Sequence, residues 1–236
     1  MRHYAKLLRP TLAASLMVAA IAGVAVAGPF EDGGAAFVRG DYATAMRLWR
    51  PLAEQGDALA QSNLGQMYSK GQGVAQDFAA AMSWYQKAAE QGVAVAQTNL
   101  ARMYDVGQGI RRDYATAMSW YRKAADQGDG FAQYNLGIMY ANGHGVPQNY
   151  AVAVEWYRKA ANQGFADAQF NLGDLYYRGL GVPRDDVMAY MWFDLAAAQG
   201  KENAGNNRDV WVARRMTPAQ ITEAQKLAHE WKPKKE

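Results

Sequence analysis

The chain predicts an all-α solenoid of helix-turn-helix units, repeated every 36 residues and comprising about twelve helices. Three observations predict it. The first is register. Asp41-Tyr42, Asp77-Phe78, Asp113-Tyr114 and Asn149-Tyr150 recur at one constant step, and Asp185 takes the next. Gln-Gly pairs recur with them at Gln55, Gln91, Gln127, Gln163 and Gln199, as does Ala-Gln-x-Asn-Leu at Ala60, Ala96, Ala132 and Ala168. The second is punctuation, since Gly-x-Gly returns at Gly71, Gly107, Gly143 and Gly179 between apolar stretches. The third is periodicity. Ala60, Leu64 and Tyr68 are spaced by four residues, which puts them on one helix face.

Composition narrows the class. Of 236 residues, 50% are hydrophobic and 20% charged, too apolar for a disordered chain. There is no cysteine, which excludes disulfides, thiol catalysis, Cys-ligated zinc and a lipid-modified cysteine. The net charge is +3, and Arg2, Lys6 and Arg9 account for it; the rest of the chain holds 22 basic and 22 acidic side chains. That balance argues against a nucleic-acid binder.

Along the chain, residues 1–27 read as a signal peptide. The basic residues Arg2, Lys6 and Arg9 precede an apolar run from Leu12 to Val26 that ends in Ala25-Val26-Ala27, a small-x-small cleavage pattern. The run is shorter than the roughly 20 residues of a spanning helix. Cleavage after Ala27 leaves a mature chain without an integral membrane segment, exported to the periplasm or, alternatively, secreted.

Residues 28–56 read as an N-terminal capping helix pair. A short helix over 31–39 closes at Gly40, and a second follows in which Leu48-Trp49 stands where Trp-Tyr stands later. Pro51 falls inside that second helix and is expected to kink or shorten it. Four full units follow, at 57–92, 93–128, 129–164 and 165–200. In the first, a helix over 57–70 ends at Gly71-Gln72-Gly73, where glycine supplies the left-handed geometry of a helix C-terminus. The second helix opens at Asp77, whose carboxylate caps the first turn. Its apolar stripe includes Ala81, Trp84, Tyr85 and Ala88. Neither helix buries its stripe alone, so units must stack. The alanine column at 81, 117, 153 and 189 suits close helix packing, and the Trp column at 84, 120, 156 and 192 is expected to fill the space between units. Residues 201–236 read as C-terminal capping helices and a basic tail. Thr217-Pro218-Ala219-Gln220 forms a capping box that opens a last helix running to about residue 231. Lys232-Pro233-Lys234-Lys235 is expected to be a solvated tail.

The pattern Ala-x-x-x-Leu-Gly-x-x-Tyr, Gly-x-Gly-Val, Trp-Tyr-x-Lys-Ala-Ala-x-Gln-Gly resembles the Sel-1-like repeat, a relative of the tetratricopeptide repeat. Residues 129–164 carry it through Ala132, Leu136, Gly137, Tyr140, Gly143, Gly145, Val146, Trp156, Tyr157 and Gln163-Gly164. The resemblance implies a right-handed superhelix, protein–protein scaffolding and, for many bacterial members, export.

Catalytic chemistry finds little footing. Within the mature chain the histidines are His144 and His229, far apart in a linear solenoid. His144 sits in a Gly-x-Gly turn whose other copies hold Gln72, Gln108 and Leu180, so it reads as a loop residue rather than a base. The aspartate column reads as helix caps. Met67, Met103 and Met139 repeat in register and read as core rather than metal ligands. Relatives of the resembled family have been discussed in β-lactam chemistry, which in its serine form needs Ser-x-x-Lys. Ser62, Ser69, Ser83 and Ser119 are followed three residues on by Gly65, Gln72, Gln86 and Arg122, so the motif is absent. No cofactor is expected.

Comparing the copies with one another separates fixed columns from variable ones. On the first helix the variable columns are 59, 62, 66 and 69, one stripe beside the core stripe. Down the solenoid they hold Arg102 and Asp105, then Phe131, Tyr134 and Ile138, then Phe170, Asp174 and Tyr177. First helices of such repeats line the concave side, where extended ligands bind, and aromatic residues are favoured at interfaces. The alternative is that some of these side chains pack between adjacent first helices. The expected function is a non-enzymatic scaffold of the cell envelope that holds a protein or peptide on this stripe. A peptidoglycan- or carbohydrate-binding module is the alternative; a cell-wall or β-lactam-acting enzyme ranks last.

Overall fold

The computed structural model describes residues 28–234. The expected signal peptide, 1–27, lies outside the described residues. Twelve α-helices and no strand occur among the described residues. They are α1 Pro29–Val38, α2 Tyr42–Glu54, α3 Ala58–Lys70, α4 Phe78–Glu90, α5 Ala94–Val106, α6 Tyr114–Ala125, α7 Gly130–Asn142, α8 Tyr150–Asn162, α9 Ala166–Arg178, α10 Asp186–Ala198, α11 Glu202–Asn206 and α12 Pro218–Glu230. A π-helical turn, Asn207–Val212, and a short 3-10 turn, Ala213–Arg215, join the last two. From α1 to α11 each helix packs on its sequence neighbours, which makes an all-α solenoid.

The fixed columns have local causes. Asp41, Asp77, Asp113, Asn149 and Asp185 each accept a backbone N–H from the first turn of the second helix that follows, as the N-cap reading expects. The first glycine of each Gly-x-Gly closes a first helix in the left-handed region, as at Gly71 with φ +66°. The second glycine has a different task. A Cβ on Gly109 would stand 2.5 Å from Cβ of Phe78, and one on Gly73 would stand 2.8 Å from Tyr42. The turn therefore sits directly on the start of the preceding unit's second helix.

A ladder of glutamines runs through the core. Gln97 is buried in α5; its amide donates to the Ala89 carbonyl at the end of α4 (3.0 Å) and its oxygen accepts from Gln127 at the end of α6 (2.8 Å). Gln61, Gln133 and Gln169 make the same pair of bonds one unit apart. Each buried amide thus ties three consecutive helices and satisfies a helix-end carbonyl.

Met67, Met103 and Met139 are buried core residues. The Trp column is less uniform than expected. Trp156 and Trp192 are buried, but Trp84 and Trp120 are half-exposed, with Lys87 and Lys123 over their rings at 4.3 and 3.9 Å. The aromatic that fills the space between units in every case is the next residue: Tyr85, Tyr121, Tyr157 and Phe193 are all buried. Gly65 and Gly137 make room for it, since a Cβ there would meet the tyrosine ring at 2.6 and 2.5 Å. Gly33 does the same for Trp49 in the N-terminal pair.

Two end features differ from expectation. Pro51 does not shorten α2, which spans the same 13 residues as α4. The proline lies in the last turn, so one N–H is lost while its carbonyl still accepts from Gln55. Helix α12 has the expected capping box at Thr217 and Gln220 and packs mainly along α10. The tail does not stand free either. Trp231 packs edge-on against Trp192 with ring centroids 6.4 Å apart, and the Lys234 N–H donates to the Asn162 carbonyl at 2.7 Å.

Candidate functional site

The first helices α3, α5, α7 and α9 form one wall of the solenoid, and α3 contacts α5 directly. The variable stripe lies on this wall.

Its residues are in mixed environments. Phe131 is 61% exposed, and Val95 and Leu59, one and two units before it in the same column, are also over half exposed. Arg102 is exposed; Asp105, Tyr134, Ile138, Phe170, Asp174 and Tyr177 are half-buried. Ser62 and Ser69 are buried, so in the first unit two stripe positions belong to the packing.

Several of the aromatics have partners within the chain. Phe131 meets Phe165 edge-on at 5.0 Å, and Tyr134 lies 6.0 Å from the Tyr157 ring. Phe170 packs on Phe193, and Tyr177 on Trp211 of the π-helical turn, with the Arg215 guanidinium 5.0 Å from the Tyr177 ring centroid. The stripe therefore both packs between units and presents surface, and the two readings of it share these residues.

Charges on the wall are largely paired. Lys201 binds Asp167, and this contact raises the lysine pKa above its ordinary value. Arg178 pairs with Asp174 at 3.2 Å. Burial pushes the Asp105 carboxyl up, against the opposing charge of His144. His144 itself stacks on Tyr114, centroids 4.7 Å apart and planes 14° from parallel. It is a contact between units rather than a bystander in its loop.

Between α7 and α9 the wall opens into a cleft of about 330 Å³. Ile138 and Ala141 form one side, Asn171, Asp174 and Arg178 the other, and Tyr157 rises from the second helix behind them. Sequence comparison pointed to Ile138 and Asp174 as surface residues. It also placed Ala141 in the variable stripe, but missed Asn171 and Tyr157, because both stand in fixed columns. Among the described residues, no group of three or more His, Asp and Glu side chains is arranged to hold a metal ion.

The Sel1 repeat family model matches residues 26–57, 58–93, 94–129, 130–165 and 166–201. The chain belongs to the Sel1 repeat family. The match counts the N-terminal pair α1–α2 as a repeat alongside the four longer units, in keeping with the shared glycine–aromatic contact at Gly33 and Trp49. Among solved structures, this Sel1 repeat protein is similar to a protective antigen present in uropathogenic Escherichia coli strains, at 38% identity and TM-score 0.79. The similarity covers 86% of this chain and 44% of the antigen, so the chain spans less than half of that relative's length. A Sel1 repeat protein from Oxalobacter formigenes is similar at 32% identity and TM-score 0.75, covering 86% of this chain and 83% of that one. An immunity protein from Pseudomonas aeruginosa shares the fold at 20% identity and TM-score 0.50, covering 88% and 85%. Comparison with curated proteins gave no match. Sel1 repeat proteins generally mediate protein–protein interactions and are typically non-catalytic scaffolds. No helix among the described residues is long and apolar enough to cross a membrane.

Proposed function

We propose that this Sel1 repeat protein is a non-enzymatic scaffold, exported to the cell envelope, that binds a protein or peptide along the wall formed by its first helices. The observation that carries the reading is the Leu59–Val95–Phe131 column. Three apolar side chains, each more than half exposed, recur once per unit on a rigid frame. No fold requirement keeps them apolar, since the next position in the column is Asp167. The spacing of adjacent packed helices, about 8–10 Å, suits an extended chain of polyproline II form, in which every third residue returns to the same face after roughly 9 Å. Arg102, Asp105, Phe131, Tyr134, Ile138, Phe170, Asp174 and Tyr177 are the proposed contact residues. Export rests on the basic n-region, apolar run and Ala25-Val26-Ala27 site of the leader.

Glycan binding is a second reading, favoured by Trp211, which is 56% exposed beside Tyr177 and could stack on a sugar face. Site-specific photocrosslinking in intact cells separates the two. A probe replaces Phe131 in one variant and Lys123, on the outer face of α6, in another. A discrete protein adduct at 131 and none at 123 is the expected result. Adducts of equal yield at both positions, or none at either, would remove the support for a protein partner on this wall.

A further inference from the structure

The cleft between α7 and α9 has a cause in one residue. In the first two units the second-helix tyrosine brings its hydroxyl to column 69 of the first-helix wall. In the first unit Tyr85 meets Ser69 there. In the second, the buried Tyr121 hydroxyl lies beside Asp105, with no hydrogen bond formed between them. In the fourth the column holds Tyr177, and Phe193 has no hydroxyl to place. In the third unit the column holds Ala141. A methyl group neither fills the space nor accepts a hydrogen bond. The Tyr157 hydroxyl turns to Asn171 of the next unit, and the cleft of about 330 Å³ stays open beside it.

The lining selects what the cleft can take. Ile138, Ala141 and Leu175 give it an apolar side, with the Tyr157 ring at its back. Asn171 and the Asp174–Arg178 ion pair give it a polar side. An aliphatic guest would displace water from Asn171 and Asp174 without replacing its hydrogen bonds, which is costly. A cationic guest would meet Arg178, and an anionic guest Asp174. A neutral guest with a flat apolar body and a single hydrogen-bond donor at its tip satisfies both sides. The volume lies at the small end of ligand pockets, the size of one side chain rather than a cofactor.

We infer that the Ala141 cleft is the side-chain pocket of the peptide-binding wall and accepts one tyrosine of an extended peptide, its hydroxyl donating to Asp174. This rests on the peptide-binding reading above and names the feature that gives it specificity. Phe131 and Val95 then contact the same peptide further along the wall.

Panning a displayed library of random linear peptides against the full mature chain tests it. The selected peptides are located by photocrosslinking to position 131, and their affinities are read by fluorescence anisotropy. The expected result is a shared tyrosine among wall-binding peptides. Replacing that tyrosine by phenylalanine should weaken binding about tenfold, the loss expected when one hydrogen bond to a charged group is removed. Ala141→Asp and Ala141→Tyr should each weaken it at least as much. Both substitutions copy residues that already stand in this column at Asp105 and Tyr177, so the fold accommodates them, and an unchanged thermal midpoint checks this. Wall-binding peptides with no common tyrosine, or whose affinity ignores both Ala141 variants, overturn the pocket and leave the wall as a peptide site. Failure to select any peptide that crosslinks at 131 overturns both readings. Binding of a soluble N-acetylglucosamine oligosaccharide that Ala141→Tyr abolishes assigns the cleft to glycan and overturns the tyrosine assignment.

Discussion

The residue that best shows how this solenoid is held together is the tyrosine after each Trp. Tyr85 is buried against Gly65, and burial pushes its hydroxyl up from 10 to about 12, with Arg102 and Ser69 pulling the other way. Tyr121 and Tyr157 are raised by burial as well. The consequence for stability has a definite sign. The unfolded chain gives up the Tyr85 proton near pH 10, while the native chain holds it to about pH 12. Unfolding in that window releases a proton, so the stability due to this group is intact below pH 10 and falls as pH rises through the window. Tyr85→Phe keeps the ring and removes the titration. Urea unfolding near pH 8 and at about pH 11 should show a smaller alkaline loss in the variant than in the native chain, by on the order of 1 kcal/mol. Equal losses would mean that the Tyr85 hydroxyl is not held away from water. Tyr121, Tyr134 and Tyr157, which the variant retains, contribute to the remaining alkaline slope.

At the scale of elements, the Gly-x-Gly turn is the joint between units, and its two glycines do separable work. Gly109 has φ +75°, and a Cβ there would reach 2.5 Å from Phe78; Gly92, in the Gln-Gly turn, has φ +91° with open space around it. Gly92→Ala should cost only the left-handed strain, roughly 1–2 kcal/mol. Gly109→Ala should cost that plus overpacking against α4, roughly 2–5 kcal/mol in all. Urea midpoints at constant m-value measure both, and similar costs would show that the turn does not bear on α4. These joints also mark how far the sequence could be read. Helix positions, the aspartate caps, the capping box at Thr217 and the methionine core were all legible, because each follows from short-range chemistry repeated in register. The burial order of Trp and Tyr was not, since both recur at the same period and only the lateral spacing of helices decides which one enters the gap. The packing of α12 along α10 and the anchoring of Lys234 to Asn162 were hidden for the same reason: nothing repeats at the end of the chain. The stripe was legible as variable, but its half-burial was not. The cleft went unseen because an absence, the small side chain of Ala141, leaves no motif.

For the whole molecule, the contacts that join units have a common form, and this makes the chain nearly one-dimensional. Gln97 bonds to the end of α4 as Gln133 bonds to the end of α6. Gly109 rests on Phe78 as Gly145 rests on Tyr114. Removing residues 93–128 would therefore bring Asp129 directly after Gly92 and set α7 on α4 with equivalent partners: Gln133 facing the Ala89 carbonyl and Gly145 facing Phe78. In a solenoid whose stability is a sum of unit and interface contributions, such a deletion subtracts one of each and leaves the rest intact. The shortened protein should keep a cooperative urea transition and its mean helicity per residue. Its m-value should fall by roughly a sixth, in proportion to the surface no longer buried. Circular dichroism and equilibrium unfolding of the deletion variant provide the check. Loss of cooperative folding would show that the ends of the chain communicate through more than nearest neighbours. The deletion also carries a functional consequence that point substitutions lack. It takes Val95 and Arg102 out of the first-helix wall but leaves Phe131, Ile138 and the Ala141 cleft on an unbroken frame. A peptide anchored at the cleft should therefore still bind, more weakly by the contacts of one unit, whereas one that needs the full length of the apolar column should be lost.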